Sequence, residues 1–114
     1  MMITIHATGM DMNETLRLYA EEKIRGLEKF FDNIQKAEID MGLRNHHHQK
    51  GKIYYAEVNV HVPKRVMRIV KEAEDLYKAI DKVRDHYKVE FDRMKGKLRA
   101  KDKKILRENK IYQE

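Results

Sequence analysis

The stretch DLYKAIDKVRDHYKVEFDRMKGKL, residues 75–98, carries a single periodicity from end to end. Leu76, Ile80, Val83, Tyr87, Phe91, Met94 and Leu98 recur every three or four residues. At ~100° per residue this spacing collects them on one face of an α-helix. Asp75 stands at the N-cap, where a carboxylate accepts from the first free backbone N–H groups. The remaining faces carry an excess of Lys and Arg over Asp and Glu. One side of this helix is thus expected to close a core, and the rest to present positive charge. Between residues 82 and 107, eleven Lys/Arg stand against four Asp/Glu, whereas the residues before 82 hold thirteen of each sign. The formal net charge of +6 therefore originates in this C-terminal segment.

Upstream of the helix the period changes from 3.6 to 2. Val66–Ala73 alternates, with Met67, Ile69 and Ala73 inward and Arg68 and Glu72 outward. Tyr54, Ala56, Val58, Val60 and Val62 alternate with Tyr55, Glu57, Asn59 and His61, the clearest strand of the chain. Pro63 and Lys64 mark the turn between these two strands. Residues 45–52, NHHHQKGK, read as a polar hairpin loop. Ahead of it, Ala37, Ile39, Met41 and Leu43 alternate with Glu38, Asp40, Gly42 and Arg44. Residues 14–31 read as a first helix with Leu16, Ala20, Ile24, Leu27 and Phe31 on one face and Asn13 as its N-cap. Gly26 costs that helix about 1 kcal/mol relative to Ala, which a close packing contact would explain. Met2–Ala7 is a short opening strand that turns at Gly9.

The order is β-α-β-β-β-α. A helical crossover joins strands one and two, which are expected to be parallel neighbours; short loops make the other pairs antiparallel. Each strand has one apolar face, so both amphipathic helices cover the same side. The fold class is α+β, a two-layer sandwich of a four-stranded mixed sheet with two helices on one face. The domain is expected over residues 1–98, with 99–114 as a basic C-terminal tail; Ile105 continues the apolar stripe loosely, which allows the helix to overrun the domain, and the tail is otherwise polar and expected to fray.

A chain of 114 residues has room for one core. No apolar run reaches the ~18 residues of a membrane span, and no signal peptide is evident. Cysteine is absent, which excludes disulfides and thiolate metal sites and fits a cytoplasmic protein. There is no phosphate-binding Gly-rich loop, no Gly-x-Ser-x-Gly turn and no His-Glu-x-x-His. The carboxylates follow helix-surface spacing, where they support neighbouring Lys and Arg. No enzymatic activity, cofactor, metal site or small-molecule substrate is expected. His46, His47 and His48 are adjacent in one loop, a poor geometry for aiming at one ion. His86 reads as an ordinary half-buried residue, and Tyr77 as core.

The basic surfaces remain, and they favour a polyanionic partner. Arg84, Lys88, Lys95 and Arg99 fall along one flank of the apolar stripe; Lys78, Lys82, Arg93 and Lys97 fall on the other. Beside the first helix, with its Arg17, Lys23, Arg25 and Lys29, they are expected to form a continuous patch for phosphate contacts.

Two motifs carry a family likeness. Asp75-Leu-Tyr-Lys-Ala-Ile-Asp81, after a strand and before a basic helix, resembles the most recognisable motif of the bacterial ribosome hibernation-promoting factors, the ribosome-associated inhibitor family. Glu22-Lys-Ile-Arg-Gly-Leu-Glu-Lys-Phe-Phe-Asp-Asn-Ile34 is similar to that family's first helix and following loop. The resemblance covers residues 2 to about 99 and is to the short form, without the dimerisation domain of long members. It implies a non-enzymatic translation factor that binds the small ribosomal subunit in the channel shared by messenger RNA and transfer RNAs. Contacts to ribosomal RNA would come from the two helices, and translation would be blocked under stress. By position, Arg17, Lys23 and Lys29 match basic positions of the family's first helix, and Arg93 and Lys97 match late positions of the second. The chain departs from the family at His86-Tyr-Lys-Val-Glu-Phe91, where Lys-Leu-Glu-Arg-Gln-Leu is common.

The reading is a ribosome hibernation factor, monomeric when free, with no membrane partner. The alternative is a general double-stranded RNA-binding module, since strands plus a basic helix also suit A-form shape. A protein-interaction adaptor is a third reading, distinguished by binding that tolerates salt.

Overall fold

The computed structural model describes the backbone of residues 1–44 and 51–113 and the side chains of residues 1–44 and 51–98. The alternating segments form β1 (Met2–Thr8), β2 (Lys36–Arg44), β3 (Ile53–Val62) and β4 (Arg65–Ala73). They lie in the order β1-β2-β3-β4. β1 and β2 are parallel, and the other pairs antiparallel, as the connections require. The register aligns the inward residues into rows: Ile3, Ala37, Val60 and Met67 form one, and Ile5, Ile39, Val58 and Ile69 the next. A one-residue slip would turn every row to the wet side.

Helix α1 (Glu14–Arg25) and helix α2 (Leu76–Gln113) cover that apolar face. Both N-caps act as their residue types dictate. The Asn13 Oδ1 accepts from the Leu16 N–H at 2.7 Å, and the Asp75 Oδ1 accepts from the Lys78 N–H at 2.8 Å. Leu16, Ala20 and Ile24 of α1 meet Leu76, Ile80, Val83, Tyr87 and Phe91 of α2 in one core. Tyr87 is fully buried, and its hydroxyl lies against the carbonyls of Val58 and Met67. Burial pushes its pKa up.

Two expectations change. The first helix is not uniform to Phe31: it tightens into a 3₁₀ turn over Gly26–Lys29. The N–H groups of Phe30 and Phe31 both reach the Leu27 carbonyl. That turn keeps Leu27 in the core and stacks Phe31 on Phe91, with centroids 5.0 Å apart. Gly26 makes no close packing contact, since a Cβ built there meets nothing within 4 Å. Gly42 does: a Cβ there would lie 2.6 Å from the Thr8 carbonyl oxygen and 2.6 Å from the Tyr55 ring. The backbone of α2 is helical to Gln113; residues 97–113 contain neither Gly nor Pro to stop it.

The other sheet face is polar and internally matched. Asp40 accepts from the hydroxyls of Thr8 and Tyr55 at 2.8 and 2.9 Å. Arg68 pairs with Glu57, His61 with Glu38 and Arg44 with Glu72, each at 2.5 Å.

Candidate nucleic-acid interface

Both helices sit on one side of the sheet, α2 over β3 and β4 and α1 beside it toward β1. Where they run together they leave an open cleft of about 210 Å³. Glu22, Lys23, Gly26, Lys29, Phe30 and Arg84 line it. Each helix thus contributes cations to a shared wall: Lys23 and Lys29 from one side, Arg84 from the other. Lys88 extends the set one turn along α2, with its Nζ 5.2 Å from the centroid of the Phe30 ring. Lys23 is held the same way, 5.3 Å from the Tyr19 ring. A ring face attracts an ammonium group without cancelling its charge. Lys29 is exposed and has no acidic partner among the described residues. Arg84 pairs with its exposed neighbour Asp85 at 3.0 Å.

At the end of the cleft nearest the α2 N-terminus, the Tyr19 hydroxyl donates to Asp81 at 2.7 Å. Tyr77 packs edge-on against the Tyr19 ring, with centroids 4.9 Å apart. The bond to Asp81, then burial and the nearby carboxylate charge, raise the Tyr19 pKa to about 12. Tyr77 is therefore not core, as its place beside Leu76 had implied, but 37% exposed. It belongs to the interhelical clasp.

The remaining candidate cations do not form one continuous patch. Arg17 is engaged by Glu14 and, at 3.4 Å, by Glu21. Arg25 pairs with Glu21 at 3.2 Å and reaches the Met1 carbonyl, so both arginines share Glu21 and neither lines the cleft. On the far flank of α2, Lys82 donates to the Glu72 carbonyl at 3.0 Å, and Arg93 pairs with Glu90 at 3.1 Å. Half-buried His86 lies 3.6 Å from Glu90 on that same flank. Lys95 follows Arg84 and Lys88 in helical spacing, and Lys97 is exposed. The His46–His48 loop lies outside the described residues. Among the described residues no group of three or more His, Cys, Asp or Glu is placed to hold a metal ion, and no helix is long and apolar enough to cross a membrane.

Residues 3–99 match the family model described as sigma 54 modulation protein / S30EA ribosomal protein. The chain belongs to that family. It is 33% identical over 108 residues to the ribosome hibernation promoting factor of Azotobacter vinelandii, covering 95% of this chain and 90% of that protein. A ribosome hibernation promotion factor of Deinococcus radiodurans is 29% identical over 79 residues, covering 68% of this chain; the match spans only 40% of that longer protein. Among solved structures, the N-terminal domain of Thermus thermophilus Protein Y superposes with a TM-score of 0.70 at 27% identity, covering 82% of this chain and 99% of that one. The β-α-β-β-β-α order and the mixed sheet are the fold of this S30EA family.

Proposed function

We propose that this protein is a cytoplasmic ribosome hibernation factor. It binds the small ribosomal subunit through ribosomal RNA in the messenger and transfer RNA channel and thereby inhibits translation under stress. One observation carries this reading: in an S30EA-family chain, Lys23, Lys29 and Arg84 line one cleft between the helices, Lys88 stands one turn beyond Arg84, and Lys23 and Lys88 lie against rings rather than carboxylates. Cations so placed keep their charge available for phosphate oxygens, and phosphate contacts supply affinity more than sequence reading. The reading calls for no catalysis and no cofactor, and for a monomer in the free state.

Co-sedimentation with purified bacterial small subunits tests it, at low and high salt, with and without messenger and initiator transfer RNA. Binding that weakens with salt and yields to those ligands is expected. Indifference to intact subunits, together with retention on naked duplex RNA, would instead favour the general double-stranded RNA-binding module.

A further inference from the structure

The clasp beside the cleft contains no cation, yet it joins the two walls that carry them. Tyr19 and Asp81 lie 62 residues apart in sequence, and their hydrogen bond at 2.7 Å ties α1 to α2. The Tyr19 ring does two further things. Its face lies under the Lys23 ammonium at 5.3 Å, and it meets Tyr77 edge-on. Asp81 precedes Arg84 by one helical turn, so whatever fixes Asp81 also fixes the turn from which Arg84 enters the cleft. Asp81 adds negative charge next to a surface read as phosphate-binding, a cost that a purely electrostatic design would avoid.

We propose that the Tyr19–Asp81 hydrogen bond is a positioning clasp, holding the helices so that Lys23 and Arg84 act from opposite walls on the same RNA phosphate. The proposal rests on the RNA-binding reading above and assigns to it two residues that touch no phosphate themselves. Preorganising the two walls lowers the ordering cost of binding, which is how such a contact gains affinity. The phenol keeps its proton at neutral pH, so the clasp is closed whenever the protein meets RNA.

Tyr19→Phe is the informative variant. It keeps the ring, and with it the contacts to Lys23 and Tyr77, and removes only the donor. Binding to purified small subunits is expected to weaken about three- to tenfold, the effect of losing one hydrogen bond. The decline of affinity with salt should also become shallower, because one phosphate is no longer held from both sides. A Lys23→Gln/Arg84→Gln background should absorb the effect, so that adding Tyr19→Phe changes nothing more. Asp81→Asn retains an oxygen that accepts from Tyr19 and should bind like the wild type, whereas Asp81→Ala should match Tyr19→Phe. Thermal melts of each variant separate loss of fold from loss of positioning.

Unchanged subunit binding by a folded Tyr19→Phe would overturn the clasp and leave the RNA reading standing. Tighter binding by both Asp81 variants would also overturn it, since Asp81 would then act only as a repelling charge. If the wild type ignores small subunits, the RNA reading and the clasp fall together.

Discussion

The two flanks of α2 carry similar numbers of cations and treat them differently. On the flank facing α1, Lys88 lies over Phe30, Lys23 across the cleft lies over Tyr19, and Arg84 pairs with its exposed neighbour Asp85. On the flank facing β4, Lys78 pairs with Glu74 at 2.7 Å, Arg93 pairs with Glu90, and Lys82 is spent on the Glu72 carbonyl. Counting charge along the sequence makes the two flanks equivalent. Counting acceptors in space does not. A cation against a ring still attracts a phosphate at nearly full strength, whereas one already matched by a carboxylate must exchange one anion for another. The cleft flank is therefore where RNA affinity is expected to reside.

The largest expected effect removes both flanks at once. Ile80 is fully buried, between the helices and the sheet. Ile80→Asp puts a carboxylate there with no partner, a cost of several kcal/mol against a domain stability of about 5–15 kcal/mol. Loss of the cooperative melt by circular dichroism is the expected result. A variant that still melts cooperatively would mean that α2 is seated differently, and the distinction between its flanks would lose its basis.

Next in size is the direct comparison. Reversing charge at Lys23, Arg84 and Lys88 should weaken binding to small ribosomal subunits by about a hundredfold or more at moderate salt. Reversing Lys78, Lys82 and Arg93 should cost far less, because all three already hold acceptors, whereas in the cleft set only Arg84 does among the described residues. Sedimentation titrations of the two triple variants, each checked for an intact melt, decide it. Equal losses would restore the picture of a uniform basic helix.

Much of this was legible from residue spacing. Alternation placed all four strands, Asn13 and Asp75 announced the helix starts, and crossover length set the mixed sheet. All of these are local signals. The partition of the cations was not legible, because it depends on neighbours distant in sequence: Tyr19 meets Asp81, and Lys88 meets Phe30, only after the helices pack. Tyr19 did carry a weak signal, one residue before Ala20 at the margin of the apolar stripe. Tyr77 misled because an aromatic beside Leu76 at a helix start reads as core, when it sits on the clasp. Gly42 read as an ordinary outward position; the close approach of Thr8 and Tyr55 appears only with the sheet assembled.

A smaller effect concerns the interior and the clasp at alkaline pH. Tyr19 titrates near 12 in the folded protein against 10.0 when unperturbed, and burial raises Tyr87 as well. The folded state thus holds protons that the unfolded chain releases. The stability this contributes is whole below pH 10 and is lost as pH rises through about 12. Melting temperature should hold steady up to pH 10 and then fall, and Tyr19→Phe should fall less steeply. An identical alkaline decline in that variant would mean that Tyr19 has no raised pKa to lose.

The smallest expected change separates stability from binding within the cleft. Gly26 has φ −59° and ψ −18°, a right-handed conformation any residue adopts, and its Cβ position is open. Gly26→Ala should therefore restrict the unfolded chain without straining the folded one, a gain of about 0.4–1 kcal/mol. That corresponds to a rise of roughly 2–6 °C in melting temperature for a domain of this size. The new methyl stands in the cleft lined by Lys23, Lys29 and Arg84, where a seated phosphate group would meet it. A protein that melts higher and binds small subunits more weakly is the expected outcome. Higher melting with undiminished binding would show that RNA does not enter between the helices at this point, and would move the affinity outward to Lys88 and Lys95.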